Sequence, residues 1–518
     1  MLVVLVVLVV VPVASVVVGA VLVGAVETVV VGMAVVVVEV VEVVEVATVV
    51  EVVGSPLDWT AELHAVPIST RAMRSAARRS HMNGDGSAKF TRSGIGAVAP
   101  GATVRRMRSD AAGHTISGFR CAVCGTFVDI ATVAPWQCPR RTATDPNHVL
   151  HLESGSESAD DLDDPNPLVR YGPRLGWWSF ARAHGLTDEA CAALTRRVAD
   201  GFVTTPFHRS VVLSDEIDVD VWVKDETGQV AGSQKGRHLA SILLHLLAAE
   251  ELGLTAGRRP LAIASCGNAA LAAATLAHRV AWPIDVYVPS WMDPAFGRRL
   301  DELEARVHTC ERRTGDPAGD PAMLRFREAV IDGAVPFSVQ GPENALCLDG
   351  GRTTGWEIAD QAAAAGIALD RVLVQVGGGA FAATVGAGLG PSVRLDTVQA
   401  AGCAPLAAAA RRAAAVVDPS QHWSEIMQPW PDPLSAADGI LDDETYDWLA
   451  VLDVMRESGG TSIVATEAEI VRAHELATAA GFHVSVTGSA GLAGLLHVSD
   501  DLSPDARVAV VMSGVARD

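Results

Sequence analysis

Residues 201–518 predict an α/β fold, on the strength of two patterns. Short apolar runs of strand length alternate with alanine- and leucine-rich runs of helical length, and small-residue turns fall where strand gives way to helix. The strand runs are 219–223, 261–264, 284–288, 372–376, 395–399 and 508–512, and the helical runs are 239–252, 269–278, 354–364 and 381–388. Strands apolar at nearly every position suit a parallel sheet covered on both faces. In such folds a ligand crevice opens beyond the carboxyl ends of the strands, where these polar and glycine-rich turns lie.

What precedes this region divides by composition. Residues 1–53 are dominated by valine, and Met1 to Val26 carry no charge over more than the length of a bilayer span. Yet no basic residue flanks the run, which decays into Glu39-Val40-Val41-Glu42-Val43-Val44-Glu45, so neither a signal peptide nor a positive-inside anchor is well formed. Most of its residues are Val, Leu, Ala, Gly, Glu or Met, each with a codon within one base of GTG, and the preferred expectation is translation of a repetitive tract upstream of the true start, with a hydrophobic segment as the alternative. Residues 54–118, rich in Ser, Gly, Ala and Arg, are expected to be disordered, with Met82 and Met107 as alternative starts. Residues 119–152 hold a cysteine knuckle, and 153–200 supply an acidic linker and a helical segment.

The formal charge of −21 argues against a nucleic-acid surface, which needs clustered Lys and Arg. Eight cysteines spread this thinly argue for a reducing, cytoplasmic setting rather than a disulfide framework. Only Cys121, Cys124 and Cys138 cluster, and His148 offers a fourth ligand. Three thiolates and an imidazole have the chemistry of a closed tetrahedral zinc site. Unligated thiols are the other reading, because Arg141 stands where a second Cys-Xaa-Xaa-Cys pair would be completed.

Three segments within residues 201–518 carry further chemistry. Lys224-Asp225-Glu226 is followed by Gly232-Ser233-Gln234-Lys235-Gly236-Arg237 at the start of a helical run. A lysine amine kept neutral by burial is suited both to Schiff-base formation and to proton transfer. Ser265-Cys266-Gly267-Asn268 opens the next helix, where backbone N–H groups can receive a carboxylate or simply cap the helix. Gly377-Gly378-Gly379-Ala380 lies between strand and helix, where backbone without side chains can close on an anion.

Taken in this order, the segments resemble fold-type II pyridoxal phosphate enzymes, the family of serine and threonine dehydratases and threonine synthase. Ala231 and Gln234 depart from that family's Thr-Gly-Ser-Phe-Lys pattern. The resemblance implies two α/β lobes with the cofactor in the crevice between them, and Lys235 as the residue that binds it covalently. It implies that Ser265, Cys266, Gly267 and Asn268 hold the substrate carboxylate, with Asn268 also bonding the cofactor's ring hydroxyl. Gly377, Gly378, Gly379 and Ala380 would bind the cofactor phosphate, and Ser513 in Val510-Val511-Met512-Ser513-Gly514 would contact the pyridine nitrogen. A neutral hydroxyl there makes the cofactor a weaker electron sink and favours loss of a β substituent over transamination. The expected reaction is serine/threonine ammonia-lyase-like α,β-elimination on a small amino acid. Alternatives are threonine-synthase-like elimination and replacement on a phosphorylated amino acid, which the knuckle slightly favours, and a non-catalytic cofactor-binding protein. A homodimer is a further implication of the family.

Overall fold

The computed structural model describes residues 114–517 apart from 318, together with the backbone of the strands Val18–Ala20, Glu27–Val31, Ala34–Val38 and Thr48–Val50. The expectation for the side chains of 1–53, and that for 54–118 up to residue 113, lie outside the described residues. Among the described residues no helix is long and apolar enough to cross a membrane.

Order begins earlier than the expected boundary at 118, because the strand Ile116–Cys121 is the centre of a three-stranded antiparallel sheet between Phe127–Asp129 and Leu150–Ser154. Two helices follow where one helical segment was expected, Gly176–Ala183 and Asp188–Val198. Gly185, at φ +95°, breaks the run, and the Thr187 side chain caps the second helix by accepting from the Ala190 N–H.

The catalytic region is built on two sheets. The larger has the order Ser462–Ala465, Arg394–Ala400, Arg371–Gln375, Arg507–Met512, Asp220–Asp225, Phe207–Arg209, parallel except at the last strand. The smaller is parallel throughout, in the order Arg306–Cys310, Ile284–Pro289, Leu261–Ala264, Val335–Pro336. Val508 to Met512 are all buried, as a central parallel strand requires. After Asp220–Asp225 the chain leaves the larger sheet, runs through the helix Lys235–Glu251 and builds the smaller sheet. It returns by the helix Arg352–Ala364 to Arg371–Gln375. Lys235 therefore stands at the first crossing between lobes.

The helix Lys235–Glu251 is buried on almost every side, from Gly236 to Ala249. Its uniform Leu and Ala content is explained by its neighbours, which include Gly176–Ala183, Asp188–Val198 and Asn268–Arg279. Polar residues inside it are matched by partners: His238 Nδ1 lies 2.7 Å from the Cys347 carbonyl, and His245 Nε2 lies 2.8 Å from that of Val133.

Beside its first turn lies a fully buried ion network. Arg237 donates to Glu226 at 2.8 Å and to Glu357 at 2.6 Å, and Lys224 Nζ donates to Glu357 at 2.5 Å and to Gln361 at 2.8 Å. Lys224, to which the motif gives no role of its own, is thus a structural cation. Lys224→Ala is expected to destabilise the protein by about 3–5 kcal/mol in denaturant titration, because it leaves a buried carboxylate short of its counter-charge. A loss below about 1 kcal/mol would show that water reaches the vacated space.

Candidate active site

Four sequence segments meet at the carboxyl ends of the two sheets. The loop from Asp225 to Lys235 passes through two tight turns, with Ala231 at φ 56° and Gly232 at φ 69°. A left-handed alanine costs on the order of 1–2 kcal/mol, and the surroundings hold it there. Gln234 N–H donates to the Ser513 carbonyl at 3.1 Å and Val515 N–H to the Gly232 carbonyl at 2.8 Å. The lysine-bearing loop is therefore laced to the end of the strand Arg507–Met512.

Burial pushes the Lys235 amine below its ordinary pKa, against the opposing pull of Asp442, Cys347 and Asp447. The two carboxyls facing it move the other way. Burial raises Asp442 to about 6 and Asp447 to about 7. Asp447 Oδ2 accepts from Gly341 N–H at 3.1 Å, and its own N–H donates to the Gly378 carbonyl at 2.8 Å. Neither carboxyl was singled out by the sequence, because both lie in an irregular stretch with no motif.

The turn 265–268 follows the strand Leu261–Ala264, and Asn268 opens the helix Asn268–Arg279. No side chain caps that helix, so its first N–H groups face the crevice unshielded by a capping hydroxyl. Asn268 Oδ1 accepts from Arg517 Nε at 3.1 Å and Nη2 at 3.0 Å, which leaves its amide nitrogen as the free donor. Gly514 packs against that nitrogen, which a Cβ at position 514 would meet at 2.9 Å.

Gly377, Gly378 and Gly379 lead into the helix Ala380–Leu389. A Cβ at Gly377 would meet Asp442 Oδ2 at 2.5 Å, so the loop's close approach to its neighbours needs glycine there. Ser513 ends the strand Arg507–Met512, is 9% exposed, and accepts from Gln375 Nε2 at 2.7 Å. A turn at a helix start, a glycine loop at a second helix start and a strand-end hydroxyl thus lie with Lys235 at the carboxyl ends of the two sheets.

A family model described as pyridoxal-phosphate dependent enzyme matches residues 198–514. The chain belongs to this family. A threonine synthase of Methanosarcina acetivorans is 26% identical over 309 residues, covering 57% of this chain and 70% of that protein. Among solved structures, the T.th. threonine deaminase has a TM-score of 0.52 at 21% identity, covering 64% of this chain and 99% of its own. Maize serine racemase has a TM-score of 0.52 at 18% identity, covering 64% and 93%. These structural likenesses bear on the fold, which is that of fold-type II enzymes.

The cysteine knuckle is a separate site. Ligand atoms of Cys121, Cys124, Cys138 and His148 all lie within 4.8 Å of one another, and the cysteines are unpaired. His148 Nε2 bonds Asp145 at 3.0 Å while Nδ1 faces Cys121 Sγ at 3.5 Å, the orientation in which a carboxylate backs a metal-binding imidazole. Burial alone would raise Cys124, but its hydrogen bonds with Thr126, Cys121 and Cys138 bring it down to about 6, whereas burial carries Cys138 up to about 12. Arg141 is no gap in the ligand set. It reaches the Pro342 carbonyl and Glu343, and with Trp136, whose carbonyl accepts from Ala345 N–H at 2.9 Å, it docks the knuckle on the segment before Cys347.

Because folding raises the Asp447 carboxyl to about 7, its contribution to stability is complete below about pH 4 and is lost as pH rises through 7. Urea titrations of wild type and Asp447→Asn across that window are expected to show the wild type falling relative to the variant as pH increases. Parallel curves would place the Asp447 pKa near its unfolded value.

Proposed function

We propose that the protein is a pyridoxal phosphate-dependent lyase that removes a β substituent from a small amino acid, releasing ammonia and a 2-oxo acid. The observation that carries the reading is the convergence of Lys235, the 265–268 turn, the 377–380 cradle and Ser513 on one crevice within a chain of this family. When bound, the cofactor supplies an electron sink for the bond-breaking at the substrate α-carbon.

The chain's own residues divide the remaining work. Lys235, held toward its neutral form by burial, binds the cofactor and takes the α-proton. Backbone N–H groups of Ser265, Cys266, Gly267 and Asn268 orient the α-carboxylate, and Asn268 holds the ring hydroxyl through its free amide nitrogen. Gly377, Gly378, Gly379 and Ala380 receive the phosphate at the start of the helix Ala380–Leu389. Asp442, raised to about 6 by burial, lies close enough to Lys235 to exchange charge with it and can pass a proton to a departing hydroxyl. The substrate is a small amino acid, and the protein works in the cytoplasm as a homodimer.

A threonine-synthase-like reaction on a phosphorylated amino acid is the second reading, favoured by the curated relative.

Lys235→Ala is expected to abolish the visible absorbance of bound cofactor and all turnover while the fold persists. An unchanged spectrum would mean that another lysine carries the cofactor. L-serine or L-threonine is expected to yield ammonia and a 2-oxo acid, whereas threonine and phosphate from O-phospho-L-homoserine alone would establish the second reading. For the knuckle we propose zinc held by Cys121, Cys124, Cys138 and His148. Stoichiometric zinc should copurify and be lost on Cys138→Ser, and metal analysis showing none in the wild type removes the proposal.

A further inference from the structure

Gln375, the last residue of the strand Arg371–Gln375, is 4% exposed, and its side chain turns into the floor of the crevice. Its Nε2 lies 2.7 Å from Ser513 Oγ and 2.7 Å from the Gly488 carbonyl, with the carbonyls of Thr487 at 3.2 Å and Val511 at 3.4 Å. Three carbonyls around one atom decide which end of the amide is nitrogen, because the reversed amide would set its oxygen against all three. The two N–H bonds go to the two nearest acceptors, so the Ser513 hydroxyl is an acceptor from Gln375. Among the described residues the Ser513 hydroxyl donates to no protein group.

Holding the amide this way is costly. Gln375 Oε1 is buried without a partner, and Gly491 leaves it room, since a Cβ there would meet it at 3.0 Å. An orphaned buried carbonyl destabilises the fold, and stability alone does not account for it.

We propose that Gln375 is a positioning residue that orients the Ser513 hydroxyl as a donor toward the cofactor's ring nitrogen and thereby keeps that nitrogen unprotonated. The inference rests on the reading of this crevice as the cofactor site. The Ser513 proton has one place left to go, an acceptor on the ligand. A protonated ring nitrogen would strand that proton and crowd it against the Gln375 N–H and the ring N–H. The choice of elimination over transamination is thus set from beneath Ser513, by a residue that never touches the ligand.

The test uses the full chain loaded with ring-15N-labelled pyridoxal phosphate. The wild-type nitrogen should resonate in the neutral, hydrogen-bonded range. Gln375→Met should weaken cofactor binding by roughly tenfold, the worth of one hydrogen bond, and shift the resonance toward that of Ser513→Ala. Both effects should vanish when Gln375→Met is made in the Ser513→Ala background. Gln375→Glu, whose carboxylate accepts the serine proton, should move the nitrogen toward its protonated form, so the proposal stands on this variant if the methionine one does not fold. A protonated nitrogen in the wild type, an equal tenfold loss in both backgrounds, or an unmoved resonance in Gln375→Glu overturns the role of Gln375. Failure of the wild type to bind cofactor at Lys235 would instead overturn the functional reading.

Discussion

Lys224, Glu226, Arg237 and Glu357 form a closed set of two cations and two anions, all without solvent contact, and they come from a strand, a turn and two helices. Thr205 joins it through hydrogen bonds to Glu226 and Glu357. Taking such charges out of water costs several kcal/mol per ion, and only a complete network recovers it. Because Glu226 and Arg237 flank the lysine loop on both sides, the network clamps a segment whose left-handed Ala231 would otherwise relax. Placement of Lys235 follows from that clamp together with the two backbone bonds that lace the loop to Ser513 and Val515.

The crevice is held from the opposite side by Asp447. Its carboxylate accepts from Gly341 on the segment returning from the smaller lobe, and its amide donates to Gly378 in the glycine cradle. One residue thus ties the two lobes where they face Lys235. Its raised pKa is the electrostatic cost of that position. The same burial that lowers the lysine raises the carboxyls, so it works against the charged form of each.

Much of this was legible before the fold, and the division has a physical cause. The turns at 265–268 and 377–380 could be placed between strand and helix because each is contiguous in sequence, and the strands 261–264 and 508–512 because burial on both faces makes them apolar throughout. Arg306–Cys310 and Ser462–Ala465 escaped notice because both are edge strands with residues that are not buried, so neither is an unbroken apolar run. Gln375 was visible only as a letter between two valines, and Asp442 and Asp447 only as acids in a polar loop. Their significance arises from partners far along the chain, Ser513, Gly377 and Gly341. The structural part played by Lys224 was not legible for the same reason, since its counter-charge Glu357 lies on a helix beyond the whole smaller lobe.

The order of strands in the larger sheet also bears on how the protein is made. Arg507–Met512 is inserted between Asp220–Asp225 and Arg371–Gln375, so a central strand is the last of the sheet's six to be synthesised. The smaller sheet is contiguous in sequence and can close early during synthesis, whereas the larger must keep a gap open until that strand arrives. Two apolar strand edges stay exposed over that interval, a standing demand for chaperone protection that a sheet assembled in sequence order would not make.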